Sequence, residues 1–326
     1  MILSKTPYRV SISGGSCDYA SFYSKYGCIL TGFALNKYCY VSVKPLTKTS
    51  ESNFEIYYSS SEKVKDIRDI QNPTVRGTLD YFNSFVHPIS GLSIYIGNDL
   101  GHQSGLATSS ALVVGLLNCL YSLYDLSITK KQLAELAVYI ERILLKQSGG
   151  IQDSYWCSYG GFNSIEIAIN GHVDVRPLSI SEDFIKQFCD SSLLFYLSSE
   201  RKSFEIAKSH DNEEADGLKQ EILDLSYETK RAFDNEDIED VGYLLNKSWL
   251  NKKRISSLIS NEYIDGIYDK VMSAGAYGMK ICGTGGSGFC FVICDAAKKE
   301  KLIEEINLPH IDTGIDYAGS RIIFKE

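Results

Sequence analysis

Polar and apolar positions alternate with two periods along this chain. Arg9 to Ser13 alternates as a strand and runs into a Gly14-Gly15 turn. The same period returns at Tyr38 to Val43, Phe54 to Tyr58 and Leu92 to Ile96, predicting three further strands. Between them Val75, Leu79, Phe82 and Val86 recur at helical spacing, predicting a helix over 74–86. Ala111 to Tyr124 is apolar nearly all round, the pattern of a buried helix. Thr129-Lys130-Lys131-Gln132 has capping-box form and starts a helix expected to reach about Lys146, before Ser148-Gly149-Gly150. Phe162 to Ile169 and Val173 to Val175 read as a hairpin about Asn170-Gly171. Leu193 to Leu197 reads as a buried strand, and 204–274 as mostly helical with a charged break at His210 to Gly217. Met279 to Cys282 and Phe289 to Cys294 read as strands about a glycine-rich turn, then Ala296 to Ile306 as a helix and Tyr317 to Phe324 as a last strand. Strands and helices cluster rather than alternate strictly, so the expected class is α+β. A boundary is expected between about Pro177 and Ser191, giving domains 1–185 and 186–326.

Composition narrows the partners. The length of 326 residues suits one or two domains of roughly 100–200 residues each. A net charge of −8 with no basic stripe argues against nucleic acid, while leaving room for an anionic small ligand in a locally positive pocket. Nine dispersed cysteines with no Cys-x-x-Cys pair make a disulfide scaffold unexpected, and five scattered histidines do the same for zinc. Residues 1–10 carry no apolar signal core, and the apolar run 111–120 is too short to span a bilayer. A cytoplasmic protein with no membrane partner is expected.

The loop Gln103-Ser104-Gly105-Leu106-Ala107-Thr108-Ser109-Ser110-Ala111 opens directly onto the buried helix. Such a loop bares backbone N–H groups at the positive end of a helix dipole, a site for phosphate. Ser109 and Ser110 either cap the helix or help hold a phosphate-bound metal ion. Glu141 falls on or beside the apolar stripe of its helix, where a carboxylate must find a cation or take up a proton. It reads either as a Mg²⁺ ligand or as one half of an ion pair with an arginine. Asp153, after a glycine loop, reads as a base aimed at a substrate hydroxyl or as a helix cap. Gly283-Thr284-Gly285-Gly286-Ser287-Gly288 matches G-x-G-x-x-G, but a strand follows it rather than a helix, which excludes a dinucleotide fold. Its glycines allow close approach to a phosphate or to an opposite loop. There is no Walker A or protein-kinase signature.

Three motifs in order resemble the GHMP kinase superfamily: Pro7 to Gly15, Gly105 to Ala111 and Lys280 to Phe289. The resemblance spans nearly the whole chain and implies a ribosomal protein S5 domain 2-like N-terminal domain, a ferredoxin-like C-terminal domain, ATP as phosphate donor and Mg²⁺. It implies that Ser104, Gly105, Leu106, Ala107, Thr108, Ser109 and Ser110 hold the ATP phosphates, and that Ser110 and Glu141 bind the metal. Asp153 and Arg9 take catalytic roles, and Asp18, Gly14, Gly15, Gly285 and Gly286 face the substrate. Arg9 to Asp18, Gly149 to Asp153, Gly160 to Asn163 and Gly319 to Arg321 look most like the subgroup that phosphorylates the anomeric hydroxyl of a heptose 7-phosphate. The expected partners are ATP and a sugar phosphate, with a possible homodimer. Arg201 and Lys202 are candidates for the substrate phosphate, against a plainer reading as a solvated pair. Kinases of L-fucose or an N-acetylhexosamine, or a non-catalytic sugar-binding regulator, are the alternatives. The phosphate loop departs from the family pattern at His102, Gln103 and Ala107, the last replacing a glycine and expected to close off positive φ.

Overall fold

A computed structural model describes residues 1–47, 50–101, 104–198 and 203–326. It is α+β, with two sheets. Strand β1 (Ile2–Ser13) pairs antiparallel with β2 (Cys28–Pro45) along most of both. The register shifts at Pro7/Tyr8 and at Ser11/Ser13, and on its other edge β2 changes partners along its length. Its first part, Cys28–Phe33, pairs with β6 (Phe162–Ile167), and its last part, Cys39–Pro45, with β5 (Leu92–Asn98). Strands β3 (Phe54–Tyr57) and β4 (Ser61–Val64) extend one edge, and β7 (Val173–Pro177) pairs with β6. The second sheet has the order β11-β8-β10-β9, with β8 Ser192–Ser198, β9 Ala276–Ile281, β10 Gly288–Cys294 and β11 His310–Asp312.

Helices cover these sheets. They are α1 (Ala20–Tyr26), α2 (Pro73–Phe85), α3 (Thr108–Leu123), α4 (Lys130–Val138), α5 (Gln152–Tyr159), α6 (Glu182–Asp190), α7 (Ser203–His210), α8 (Asp216–Asp234), α9 (Ile238–Ile255), α10 (Glu262–Ser273) and α11 (Lys299–Ile306). Asn72 caps α2 with Pro73 at its first position, and Thr129 caps α4 through the capping box its sequence shows. As its all-round apolar sequence requires, α3 is buried from Ser110 through Leu117 against β1 and β2. Where α9 crosses β9, Gly242 and Gly278 meet so closely that a Cβ on Gly278 would lie 2.0 Å from the Gly242 carbonyl. These helices and the second sheet share an apolar core that includes Trp249, Met279 and Val292.

Several elements differ from the expectation. The predicted helix to Lys146 stops at Val138 and continues as a π turn, Tyr139–Leu144. Helix α5 replaces the loop expected around Asp153. Its residues Gln152, Ser154 and Ser158 are as buried as Tyr155 and Trp156, which removes any amphipathic period. The last strand is shorter, β12 (Arg321–Lys325), and it pairs with β1. The chain therefore leaves the second sheet and returns to the first, so a single division at 185/186 does not match sheet membership. Asp316 anchors the return: it accepts from Tyr38 Oη, Ala318 N, Gly319 N and Arg321, while Ser320 Oγ meets Thr6 Oγ1 at 2.8 Å.

Candidate active site

The end of β1, the loop before α3, the π turn, the start of α5 and the β9–β10 turn meet around one cleft of about 700 Å³. Gly105, Ala107, Thr108, Ser109 and Ser110 line one wall. Ala107 is the residue before α3 and adopts φ 68°, ψ 36°. Its methyl has therefore not closed off the left-handed region, contrary to the expectation, although an L-residue pays for that conformation. Neither serine caps the helix: Ser109 Oγ and Ser110 Oγ donate to Glu141 Oε1 and Oε2 at 2.8 and 2.7 Å. The leading N–H groups of a 16-residue helix are thus left without a side-chain cap at the cleft wall. Ser104 and Leu106 shape the loop without lining the cleft. The Leu106 carbonyl accepts from Arg9 N, and the Ser104 carbonyl from Phe289 N. His102, Gln103, Arg201 and Lys202 lie outside the described residues.

Glu141 is 1% exposed. The π turn closes through Leu145 N to Ile140 O and Gln147 N to Glu141 O, and it sets both Glu141 and Arg142 in the cleft lining. Glu141 also lies 3.3 Å from Ser154 Oγ and forms an ion pair with Arg142 Nη2 at 3.9 Å. Arg142 Nε and Nη1 donate to the carbonyls of Gly150, Gln147 and Ser148, which leaves Nη2 as the ion-pair partner of Glu141. At that distance the pair has no direct hydrogen bond, and a buried carboxylate otherwise served only by hydroxyls has room for a second cation. The oxygen set of Glu141 and Ser110 suits a hard cation that takes few protein ligands and completes its shell with phosphate and water, as Mg²⁺ does. Among the described residues no group of three His, Cys, Asp or Glu side chains forms a metal cage.

Asp153 sits in the first turn of α5 and is already paired. Arg9 Nε and Nη2 donate to its two carboxylate oxygens at 2.8 and 2.9 Å, and Arg9 Nη1 donates to Gly105 O at 2.8 Å. Arg9 is 4% exposed, not a surface arginine. Burial disfavours its charge, but the charge and hydrogen bonds of Asp153 outweigh that and hold its proton more firmly than usual. Asp18 is fully enclosed. Burial, and then the charge of Asp153, push its carboxyl above the ordinary range. It accepts from Gln152 N at 3.2 Å, and its main-chain carbonyl accepts from Ile151 N. Gly150 permits this approach, since a Cβ there would lie 1.8 Å from Asp18 Oδ2.

The third motif reaches the cleft through Lys280, Gly283 and Thr284. Lys280 Nζ donates to the Ser11 and Ile12 carbonyls at 2.8 and 3.2 Å, tying β9 to the end of β1. Gly285 and Gly286 do not line the cleft, against the expectation. A Cβ on Gly285 would meet Ile259, and one on Gly286 would meet Ile206, so they serve the approach of the neighbouring loop and α7. Gly14 also packs inward, on the Ile29 carbonyl, while Gly15 lines the cleft. Arg142, Gln152, His210 and Lys252 are among the lining residues to which the sequence alone assigns no role. Lys252 Nζ donates to Gly283 O. The His210 ring lies 2.9 Å from both Ser16 Oγ and Thr284 O, linking the first and third motifs. A lone histidine at the end of a short helix gives no sequence signal for such a role.

An uncapped helix start, a carboxylate–hydroxyl pair fit for a hard cation and an arginine-held carboxylate share this cleft, the equipment of a phosphotransferase acting on an alcohol. The chain belongs to the GHMP kinases, which use ATP as phosphate donor: the model for the GHMP kinases N terminal domain matches residues 73–161, and that for the GHMP kinases C terminal matches 229–310. D-glycero-alpha-D-manno-heptose 7-phosphate kinase of Campylobacter jejuni is 29% identical over 94% of this chain and 93% of its own. Galactokinase of Pyrococcus furiosus is 24% identical over 93% and 91%. Among solved structures, a D-glycero-D-manno-heptose 1-phosphate kinase from Bacteroides thetaiotaomicron covers 100% of both chains at TM-score 0.80 and 24% identity, a likeness of fold. Heptose phosphate kinase relatives make this chain a GHMP sugar kinase. No helix among the described residues is long and apolar enough to cross a membrane.

Proposed function

We propose that this kinase transfers the γ-phosphoryl group of ATP to the anomeric C1 hydroxyl of D-glycero-D-manno-heptose 7-phosphate, giving the 1,7-bisphosphate on a route to nucleotide-activated heptose for surface glycans. The Arg9–Asp153 pair, set between the α3 start and Asp18, is the observation that carries this reading. The likeness to the Campylobacter jejuni heptose 7-phosphate kinase along nearly all of both chains supports the choice of sugar.

The ATP phosphates lie against the N–H groups at the start of α3. Glu141 and Ser110 are the residues that would hold Mg²⁺, whose charge neutralises the phosphates when it is bound. Asp153 orients the C1 hydroxyl and accepts its proton. An anomeric hydroxyl is more acidic than an ordinary alcohol, so a carboxylate base suffices. Arg9 fixes the Asp153 carboxylate by two hydrogen bonds and places positive charge beside the attacking oxygen. Phosphoryl transfer has a loose transition state, so positioning and charge neutralisation supply most of the rate. Asp18 accepts from a sugar hydroxyl.

A coupled ATP-consumption assay across free and phosphorylated sugars, with NMR of the product, tests the reading. The heptose 7-phosphate is expected to be turned over, with new phosphorus coupling at C1. Asp153→Asn is expected to lower kcat by about 10²–10⁴, the usual worth of a positioned base, while sugar binding by calorimetry persists. Full activity of the variant overturns the role of Asp153. Preference for free L-fucose or an N-acetylhexosamine overturns the sugar assignment, and no turnover of any sugar favours a non-catalytic regulator.

A further inference from the structure

His210 closes α7 and is buried at the cleft wall. Its Nε2 faces the Thr284 carbonyl, which can only accept, so the ring carries a proton on Nε2. In the neutral ring Nδ1 is then left to accept from the Ser16 hydroxyl. Ser16 sits at φ 83°, a left-handed backbone that a residue other than glycine keeps only when its surroundings fix it. It lies inside the turn that Cys17 N closes on Gly14 O at 3.1 Å, just before Asp18. Just after Asp18, the Tyr19 ring lies nearly parallel to the imidazole, with centroids 5.9 Å apart and planes at 9°. One side chain therefore meets the chain on both sides of Asp18. Neighbours of His210 grip the same stretch: Ser21 Oγ donates to Asp211, and Cys17 Sγ to the Lys219 carbonyl at 3.2 Å. Of His210, Asp211 and Lys219, only His210 lines the cleft.

We infer that His210 is a positioning residue for the acceptor sugar: by holding Ser16 and Tyr19 from α7, it fixes the strained turn that sets Asp18 in the cleft. The inference rests on the sugar-kinase reading above. It adds that the acceptor side of the site is completed by a residue 194 positions further along the chain than Ser16. Ile151 N and Gln152 N secure Asp18 from the side of α5, and His210 secures the turn before it, so the carboxylate is clamped between two elements. The start of α3 has separate supports, since Ser109 and Ser110 bond Glu141. Loosening the turn is therefore felt by the sugar and not by ATP. A left-handed serine relaxes to other conformations once its hydroxyl loses its partner, and the cost falls on acceptor binding.

Steady-state kinetics with D-glycero-D-manno-heptose 7-phosphate and ATP test this in the wild type, His210→Ala, His210→Asn, His210→Gln and Ser16→Ala. His210→Ala is expected to raise KM for the sugar about tenfold, the scale of one hydrogen bond lost with its partner left unpaired, and to leave KM for ATP within about twofold. An asparagine amide falls near the place of Nδ1, and a glutamine amide near that of Nε2. His210→Asn is therefore expected to recover most of the sugar affinity, and His210→Gln little of it. Ser16→Ala removes the hydroxyl alone. It is expected to match His210→Ala, and the double variant to be no worse than either, because both remove the same link. An unchanged KM for the sugar overturns the inference. So does a rise shared equally by ATP, an additive double variant, or recovery in His210→Gln rather than His210→Asn. If His210→Ala fails to fold, as its melt would show, Ser16→Ala and His210→Asn carry the same comparison. Failure of the wild type to phosphorylate any sugar phosphate instead overturns the function on which the inference rests, which keeps the two failures apart.

Discussion

At the scale of single residues, the site depends on how buried charges are balanced. Asp153 and Arg9 settle each other, whereas Lys280, 4% exposed, donates to main-chain carbonyls. Burial pulls its ammonium down to about 8; Cys282 and Asp18 favour the charged form, and Arg9 opposes it. An unfolded lysine keeps its proton to about 10.4. Between these values the unfolded chain binds more protons, so stability rises with pH through this window. The destabilising contribution of the charge is fully present below pH 8 and is shed above it. Urea unfolding of the wild type and Lys280→Met at pH 7 and pH 9.5 is expected to show the difference shifting in favour of the wild type by about 2 kcal/mol. A difference that stays constant with pH contradicts the burial argument. Residue types alone drew attention to the loop before α3 and to Glu141 and Asp153, with a plainer structural reading open for each. The resemblance gave Arg9 and Asp153 catalytic roles, but that they pair with each other across 144 positions was not legible, because no local period connects them.

At the scale of elements, α3 was readable from its apolar run and its small polar lead-in, and its N-terminal geometry was not. Which way Ser109 and Ser110 turn depends on Glu141, which a π turn sets in the cleft lining. A π turn is one backbone hydrogen bond shifted by a residue, and side-chain periodicity does not record it. The glycines at 285 and 286 misled in the same way, since a glycine pattern shows that something comes close without showing what. Ala107 gives an element-scale prediction. Its left-handed backbone costs roughly 1–2 kcal/mol, and glycine removes that strain but adds about 0.4–1 kcal/mol of unfolded-chain freedom. Ala107→Gly is therefore expected to raise Tm slightly, by about 2–4 °C at most, with ATP affinity unchanged or improved. A clear fall in Tm by calorimetry would show that the methyl packs well enough to outweigh its strain.

At the scale of the whole molecule, the two sheets are not consecutive halves of the chain. Residues 313–320 cross back, Asp316 fixes the crossing through Tyr38 and Arg321, and β12 closes one edge of the first sheet. A chain ending at Thr313 is expected to keep the second sheet but to bare the β1 edge and leave Tyr38 and Thr6 without these partners. Several kcal/mol lost at roughly 1–2 °C each, the scale for a chain of this length, suggests a drop of about 5 °C in Tm, with self-association visible by size-exclusion chromatography as the open edge pairs with copies of itself. An unchanged melt would mean the return strand is ornamental. The same crossing sets an order of assembly during synthesis. Strand β1 leaves the ribosome long before β12 and waits for it before its outer edge is satisfied. While the residues between them are being made the nascent chain carries an unfinished sheet, and that interval is when shielding by a chaperone matters most.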